Sequence, residues 1–295
     1  MVMPIFATWV HSDEQVGALR LLIASIREYG GELSASPILV MELADGIVPD
    51  DVRLAEGVTV HGVEVGEDLR GVWYGAKVEA CAAAEALAAG QTRSLVLLIP
   101  ECLIVQPPEL LVLDDDHDVA VRPVHISNVG SRVDSPPDGF WSGVYDAVGI
   151  ADVELTVESF IDSVALRAYF NSAAFSVNPS LELMGEWRER FASLGRDEAF
   201  MTAHCSNDLH RIFLHQAVLC AVLPARLQIS RMRILPPEYG YPYNLHGDVP
   251  ADRRAATMNE LVLPIYEERS VDPSVAADIT INEPLRTWLA GRHQQ

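Results

Sequence analysis

The stretch Ser94–Leu111, SLVLLIPECLIVQPPELL, decides the fold of this 295-residue chain. Leu95–Ile99 is an unbroken apolar run, the pattern of a strand at the centre of a sheet with both faces covered. Pro100-Glu101-Cys102 then interrupts it, a second apolar run begins at Leu103, and Pro107-Pro108 starts a helical turn. A strand that stops at a polar step and leaves again is the local geometry of a site at the carboxyl end of an α/β sheet.

Working outward, MPIFATWV is rich in β-formers and leads into Val16, Leu19, Ile23 and Ile26 at helical spacing, closed by Gly30-Gly31. Ser12 and Gln15 have the spacing of a capping box. PILVMEL and the alternating GVTVHGVEV read as two strands, and Trp73–Ala88 as a helix ended near Gly90. This β-α-β-β opening, feeding the Ser94 strand through a helix, predicts a mostly parallel sheet with right-handed crossovers. Beyond it, HDVAVRPV and AAFSVNP read as strands, while WSGVYDAVGI, SLELMGEWRERFASLG and LHRIFLHQAVLCAVL read as helices. RMRILPPEYGYPYNLHGDVP has loop composition around aromatic anchors. With no internal repeat and no linker, one domain over 1–295 is expected, its segment from about 224 to 295 irregular.

The totals narrow the function. A net charge of -21 opposes any partner held by its phosphate backbone, so no nucleic acid is expected. Lys77 is the sole lysine, and an anionic ligand needs arginines, backbone N–H groups or a metal. No apolar run is long enough to span a bilayer and the N-terminus lacks a basic signal-peptide start, which points to a cytoplasmic protein. Cys81, Cys102, Cys205 and Cys220 form no C-x-x-C pair and read as reduced, buried thiols.

In order, four stretches resemble the nucleotide-sugar glycosyltransferases of GT-A fold, of the kind similar to glycogenin and to bacterial galactosyl- and glucosyltransferases. They are the N-terminal strand and helix, SLVLLIPECLIVQPPELL, FNSAAFSVNP and LHQAVLCAVL. The resemblance implies a GT-A-like mostly parallel mixed sheet flanked by helices, and a site that binds a nucleotide-sugar donor. In the family, the outer residues of Asp-x-Asp hold Mn²⁺ or Mg²⁺ against the diphosphate. Here those positions are Pro100 and Cys102, leaving Glu101 as the one oxygen donor, so no cofactor and no divalent cation are expected. A literal Asp-x-Asp at Asp114–Asp116 reads instead as a solvated loop entering the next strand, at the wrong end of the sheet.

Several residues remain as candidate ligand contacts. Thr8 ends the first strand, Lys77 could reach a diphosphate from its helix, and Asn171 and Ser172 match positions near the donor sugar. Gln216 keeps the family's Asp-Gln glutamine, while His215 replaces its aspartate, and His246 resembles the late histidine of the metal site. Arg122, His125, Asn128 and Ser131 form a polar run after a strand, where Arg122 and His125 could stabilise a diphosphate without a cation. His204, His210 and His215 lack the spacing of an i, i+4 zinc pair. Two readings stay open: a glycosyltransferase-like enzyme using a nucleotide-sugar without a metal, and a catalytically silent GT-A-like protein that binds a sugar or a protein partner.

Overall fold

A computed structural model describes residues 3–266 and 278–292. Its strands are β1 (Ile5–Val10), β2 (Ile38–Glu42), β3 (Val58–Gly62), β4 (Leu95–Leu98), β5 (Val119–Pro123), β6 (Thr156–Glu158), β7 (Ala165–Arg167), β8 (Phe170–Val177), β9 (Met232–Ile234), β10 (Tyr239–Pro242) and β11 (Leu263–Ile265). The helices are α1 (Val16–Tyr29), α2 (Asp50–Arg53), α3 (Gly75–Ala88), α4 (Gly139–Val148), α5 (Leu183–Arg196), α6 (Glu198–His204), α7 (Asp208–Arg226) and α8 (Leu285–Arg292). Seven strands form one sheet in the order β3-β2-β1-β4-β8-β5-β9, in which only β8 runs against its neighbours. The sheet is therefore mixed and mostly parallel, as the strand–helix alternation predicts, and both halves of the chain contribute to it.

β4 holds the centre for the reason its composition suggests: Leu95, Val96, Leu97 and Leu98 are all fully buried. Helices α3, α5 and α7 pack on one another beside the sheet, with Trp187, Phe191, Leu219 and Leu223 inaccessible to solvent. A second apolar cluster gathers Leu103, Phe160, Tyr241, Tyr243, Met258 and Leu289 around β10 and α8. Among the described residues no helix is long and apolar enough to cross a membrane.

Three local expectations need correction. Ser12 makes no capping bond; Gln15 Oε1 instead accepts the His11 N–H at 3.0 Å, so half of the capping box survives one residue earlier. The segment read as loop around aromatic anchors contains β9, β10 and a 3-10 turn over Tyr243–Asp248: Tyr241 and Tyr243 are buried, β10 pairs with β11 through Tyr241, and β9 pairs with β5. Arg122, read as opening the polar run after a strand, lies inside β5, paired with Asn171 on β8, and is 4% exposed. The expected irregular segment also carries β11 and α8, and its residues 267–277 and 293–295 lie outside the described residues.

Candidate functional site

The carboxyl ends of β1 and β4, the start of β8, the first turn of α3 and the middle of α7 enclose a cavity of about 390 Å³. Its walls are Trp9, His11 and Gln15 from the β1–α1 connection, Ile99 and Glu101 after β4, Ser172 and Ala173 of β8, Phe213, His215 and Gln216 of α7, and Val72–Lys77. Five residues named from sequence meet here: Lys77, Glu101, Ser172, His215 and Gln216.

Ser172 is the hub. Lys77 Nζ donates to Ser172 Oγ at 2.8 Å, and Oγ lies 3.3 Å from both His215 Nε2 and Gln216 Oε1. His215 Nδ1 sits 2.9 Å from the Ile212 carbonyl, which only accepts, so Nδ1 carries the proton and Nε2 is an acceptor, beside a serine hydroxyl whose one proton is donated to Gln216 Oε1. Burial, and then the positive charge of Lys77, hold His215 well below its ordinary pKa, keeping the ring neutral. The indole of Trp187 donates to the His215 carbonyl at 2.7 Å, fixing that turn of α7. Tyr74 stacks on the His215 ring with centroids 4.1 Å apart, and Lys77 Nζ lies 5.5 Å from the Tyr74 ring and 5.9 Å from that of Trp9. Lys77, which a surface helix position would leave solvated, is 8% exposed.

The Pro100–Cys102 step closes the cavity floor. Glu101 accepts from Gln15 Nε2 at 3.3 Å. Cys102 is 2% exposed, its Sγ 3.8 Å from the Ala173 carbonyl and its backbone bridged to Ile265. This donor set does not fit the hard divalent cation of the resembled family: proline offers no donor, the thiol faces a carbonyl inside the core, and one carboxylate remains. Among the described residues no group of three or more His, Cys, Asp and Glu is placed to hold a metal. Asp114 sits at the opposite end of the sheet, accepting from the backbone of Asp116 and His117 and paired with Arg233 and His117.

Other candidates lie elsewhere, for reasons of strand parity. Thr8 alternates with Trp9 on β1, so it points away from the cavity with its hydroxyl buried and unbonded. Asn171 alternates with Ser172, and on the far face its Nδ2 meets His125 Nε2 at 2.9 Å while its Oδ1 accepts the Ala173 N–H at 2.7 Å. Arg122 stands on that face over the Phe160 ring at 5.0 Å, its Nε and Nη2 buried without hydrogen-bond partners. Burial pushes Arg122 down to about 10, against Glu238, and burial followed by the Arg122 charge pushes His125 down to about 3. Asn128 is exposed with φ 40, and Ser131 accepts from Arg167 at 3.2 Å. His246 Nδ1 pairs with the Tyr241 hydroxyl at 2.8 Å, away from the cavity lining. Sequence reasoning missed Trp9, His11, Trp73, Tyr74 and Phe213 as wall residues; the aromatic pair three and four residues before the chain's single lysine was the available signal.

No family model and no curated protein matches the chain. Among solved structures it is similar to the galactosyltransferase LgtC in complex with donor and acceptor sugar analogs, at 12% identity and a TM-score of 0.50, over 97% of this chain and 99% of that one. At such identity the likeness is one of fold. The chain has a GT-A-like, glycosyltransferase-like fold.

Proposed function

We propose that a chain with this GT-A-like sheet binds a nucleotide-sugar in the cavity between β1, β4, β8, α3 and α7, and acts as a glycosyltransferase-like protein without an Asp-x-Asp-bound metal. One observation carries the reading: the sole lysine is buried at the first turn of α3 in the cavity wall, 2.8 Å from a serine hydroxyl. A buried ammonium beside hydroxyl, amide and carboxylate groups suits a ligand that combines a diphosphate with sugar hydroxyls. In a transfer reaction the diphosphate gains negative charge as it leaves the anomeric carbon, and the Lys77 charge stabilises that build-up. Ser172, Gln216 and Glu101 supply donors and acceptors for hydroxyl groups.

A thermal-shift series of UDP-, GDP- and ADP-sugars, each with Mn²⁺ and with EDTA, tests it. A rise in Tm that survives EDTA is expected. A rise only with Mn²⁺ refutes the metal-free part, and no rise with any donor refutes the reading. The second reading, a catalytically silent binding protein, is favoured by the tie of Glu101 to Gln15 and the burial of Cys102. A donor-hydrolysis or transfer rate abolished by Ser172→Ala eliminates it.

A further inference from the structure

Trp73 is the most exposed of the chain's tryptophans whose placement is described: it is 62% exposed, whereas Trp9, Trp141 and Trp187 are each 4% exposed or less. It forms the cavity rim beside Tyr74, itself 45% exposed. Aromatic surface left in water is unfavourable, so its position matters more than its presence.

The segment that presents Trp73 is held from several sides. The backbone N–H groups of Leu69, Val72 and Gly75 bond to Gly66, Leu69 and Val72 at 3.0, 3.1 and 2.9 Å. Asp68 receives two bonds from Arg188 at 2.7 Å each, and Arg188 also grips Glu79 of α3. Leu69 is 1% exposed, Gly75 is packed so closely on the Leu69 carbonyl that a Cβ would collide with it, and Val72 lies against Gly195. Tyr74 takes a left-handed φ of 63 with its ring stacked on His215. A left-handed tyrosine is a costly conformation. Here it turns the chain so that one aromatic ring seals onto the His215 network while its neighbour remains at the mouth.

From this we infer that Trp73 is a stacking platform for an uncharged pyranoside acceptor, whose apolar ring face lies on the indole while its hydroxyls reach the polar wall at Gln15, Glu101 and Gln216. A rigid aromatic beside hydrogen-bonding groups matches the two-faced chemistry of a sugar ring, apolar on one side and rimmed with hydroxyls. Glu101 in the same wall and the charge of -21 disfavour an anionic acceptor. The inference rests on the transferase reading and deepens it by naming the acceptor class.

The test titrates the full chain with methyl β-galactoside, methyl α-glucoside, lactose, maltose and cellobiose, following tryptophan emission and calorimetric heat. At least one sugar should shift the emission to the blue; Trp73→Ala should abolish the shift and weaken that sugar at least tenfold, while Trp73→Phe retains most of the affinity. Equal sugar binding by Trp73→Ala, or no response to any of the five sugars, overturns the platform while leaving the donor reading intact. A loss of nucleotide-sugar stabilisation in Trp73→Ala, with the Tm of the ligand-free protein unchanged, also overturns it by assigning the indole to the donor. Absence of nucleotide-sugar stabilisation in the parent is the separate failure of the transferase reading.

Discussion

Replacing Lys77 by Met removes a charge and keeps nearly the same stem. The unbranched thioether occupies the space between the Trp9 and Tyr74 rings, so packing survives while the bond to Ser172 Oγ at 2.8 Å is lost. Ligand affinity should respond more than stability. A hydrogen bond to a charged group contributes about 1.5–3 kcal/mol net, and a factor of ten corresponds to about 1.4 kcal/mol, so a diphosphate held by Lys77 should bind about 10- to 150-fold more weakly. That range is not reduced by a desolvation cost on binding, because Lys77 is already 8% exposed in the free protein. The assay is calorimetry in EDTA with whichever of UDP, GDP and ADP most raises the Tm of the parent, with Lys77→Arg as the charge-preserving control. The same substitution removes the positive charge that helps hold His215 down, so the His215 pKa, read from ring resonances, should move up toward its ordinary value. A diphosphate Kd in Lys77→Met within threefold of the parent refutes the assignment of the lysine to the leaving group.

Further outcomes follow from the same structure. Glu85, 3% exposed on α3, accepts the Met184 and Gly185 N–H groups at 2.9 Å each and so caps the start of α5 from outside that helix. Burial, opposed by those bonds, raises its pKa above 4.5, so its contribution to stability is present below that value and is lost as pH rises through the raised one. Urea unfolding of Glu85→Gln should accordingly show a flatter dependence above pH 4.5, whereas Glu85→Ala, which leaves two N–H groups unpaired, should lose about 2–4 kcal/mol at all pH values. Gly75→Ala drives a methyl group into the Leu69 carbonyl and should lower Tm by several degrees in a calorimetric scan while weakening nucleotide-sugar binding. All four cysteines are buried thiols outside any disulfide, and burial pushes Cys81 and Cys220 up to about 12 and Cys205 to about 11. Native protein should therefore react negligibly with a thiol reagent at pH 8, and denatured protein should release four equivalents; a fast native equivalent would contradict the packing.

Ile99 N–H bonds to the Ala173 carbonyl at 2.8 Å and Cys102 N–H to the Ile99 carbonyl at 3.1 Å, so the turn after β4 is held by backbone, not by the side chains at positions 100 and 102. A Pro–Glu–Cys step therefore fits the same turn. On the proposed reading, the charge that a cation would supply comes from Lys77, reaching the cavity from α3.

The sheet was legible in the sequence because its signals are local. The apolar run at Leu95–Ile99, the helical spacing of Val16, Leu19, Ile23 and Ile26, and the alternating segment around Val58–Gly62 each specify an element within a window of a few residues. Lys77, Glu101, Ser172, His215 and Gln216 could be named as candidate contacts because they lie at or near positions of the resembled pattern, and the fold brings the five to one cavity. Strand parity decided the rest. Thr8 and Asn171 sit one residue from Trp9 and Ser172, and a one-residue step on a strand reverses the face, which no sequence window reveals without the register of the neighbouring strands. The burial of Arg122, the stacking of Tyr74 on His215 and the exposure of Trp73 likewise depend on contacts across 90 residues or more, or on backbone bent into a left-handed turn. Those are set by how the helices and strands pack, and only the tertiary structure fixed them.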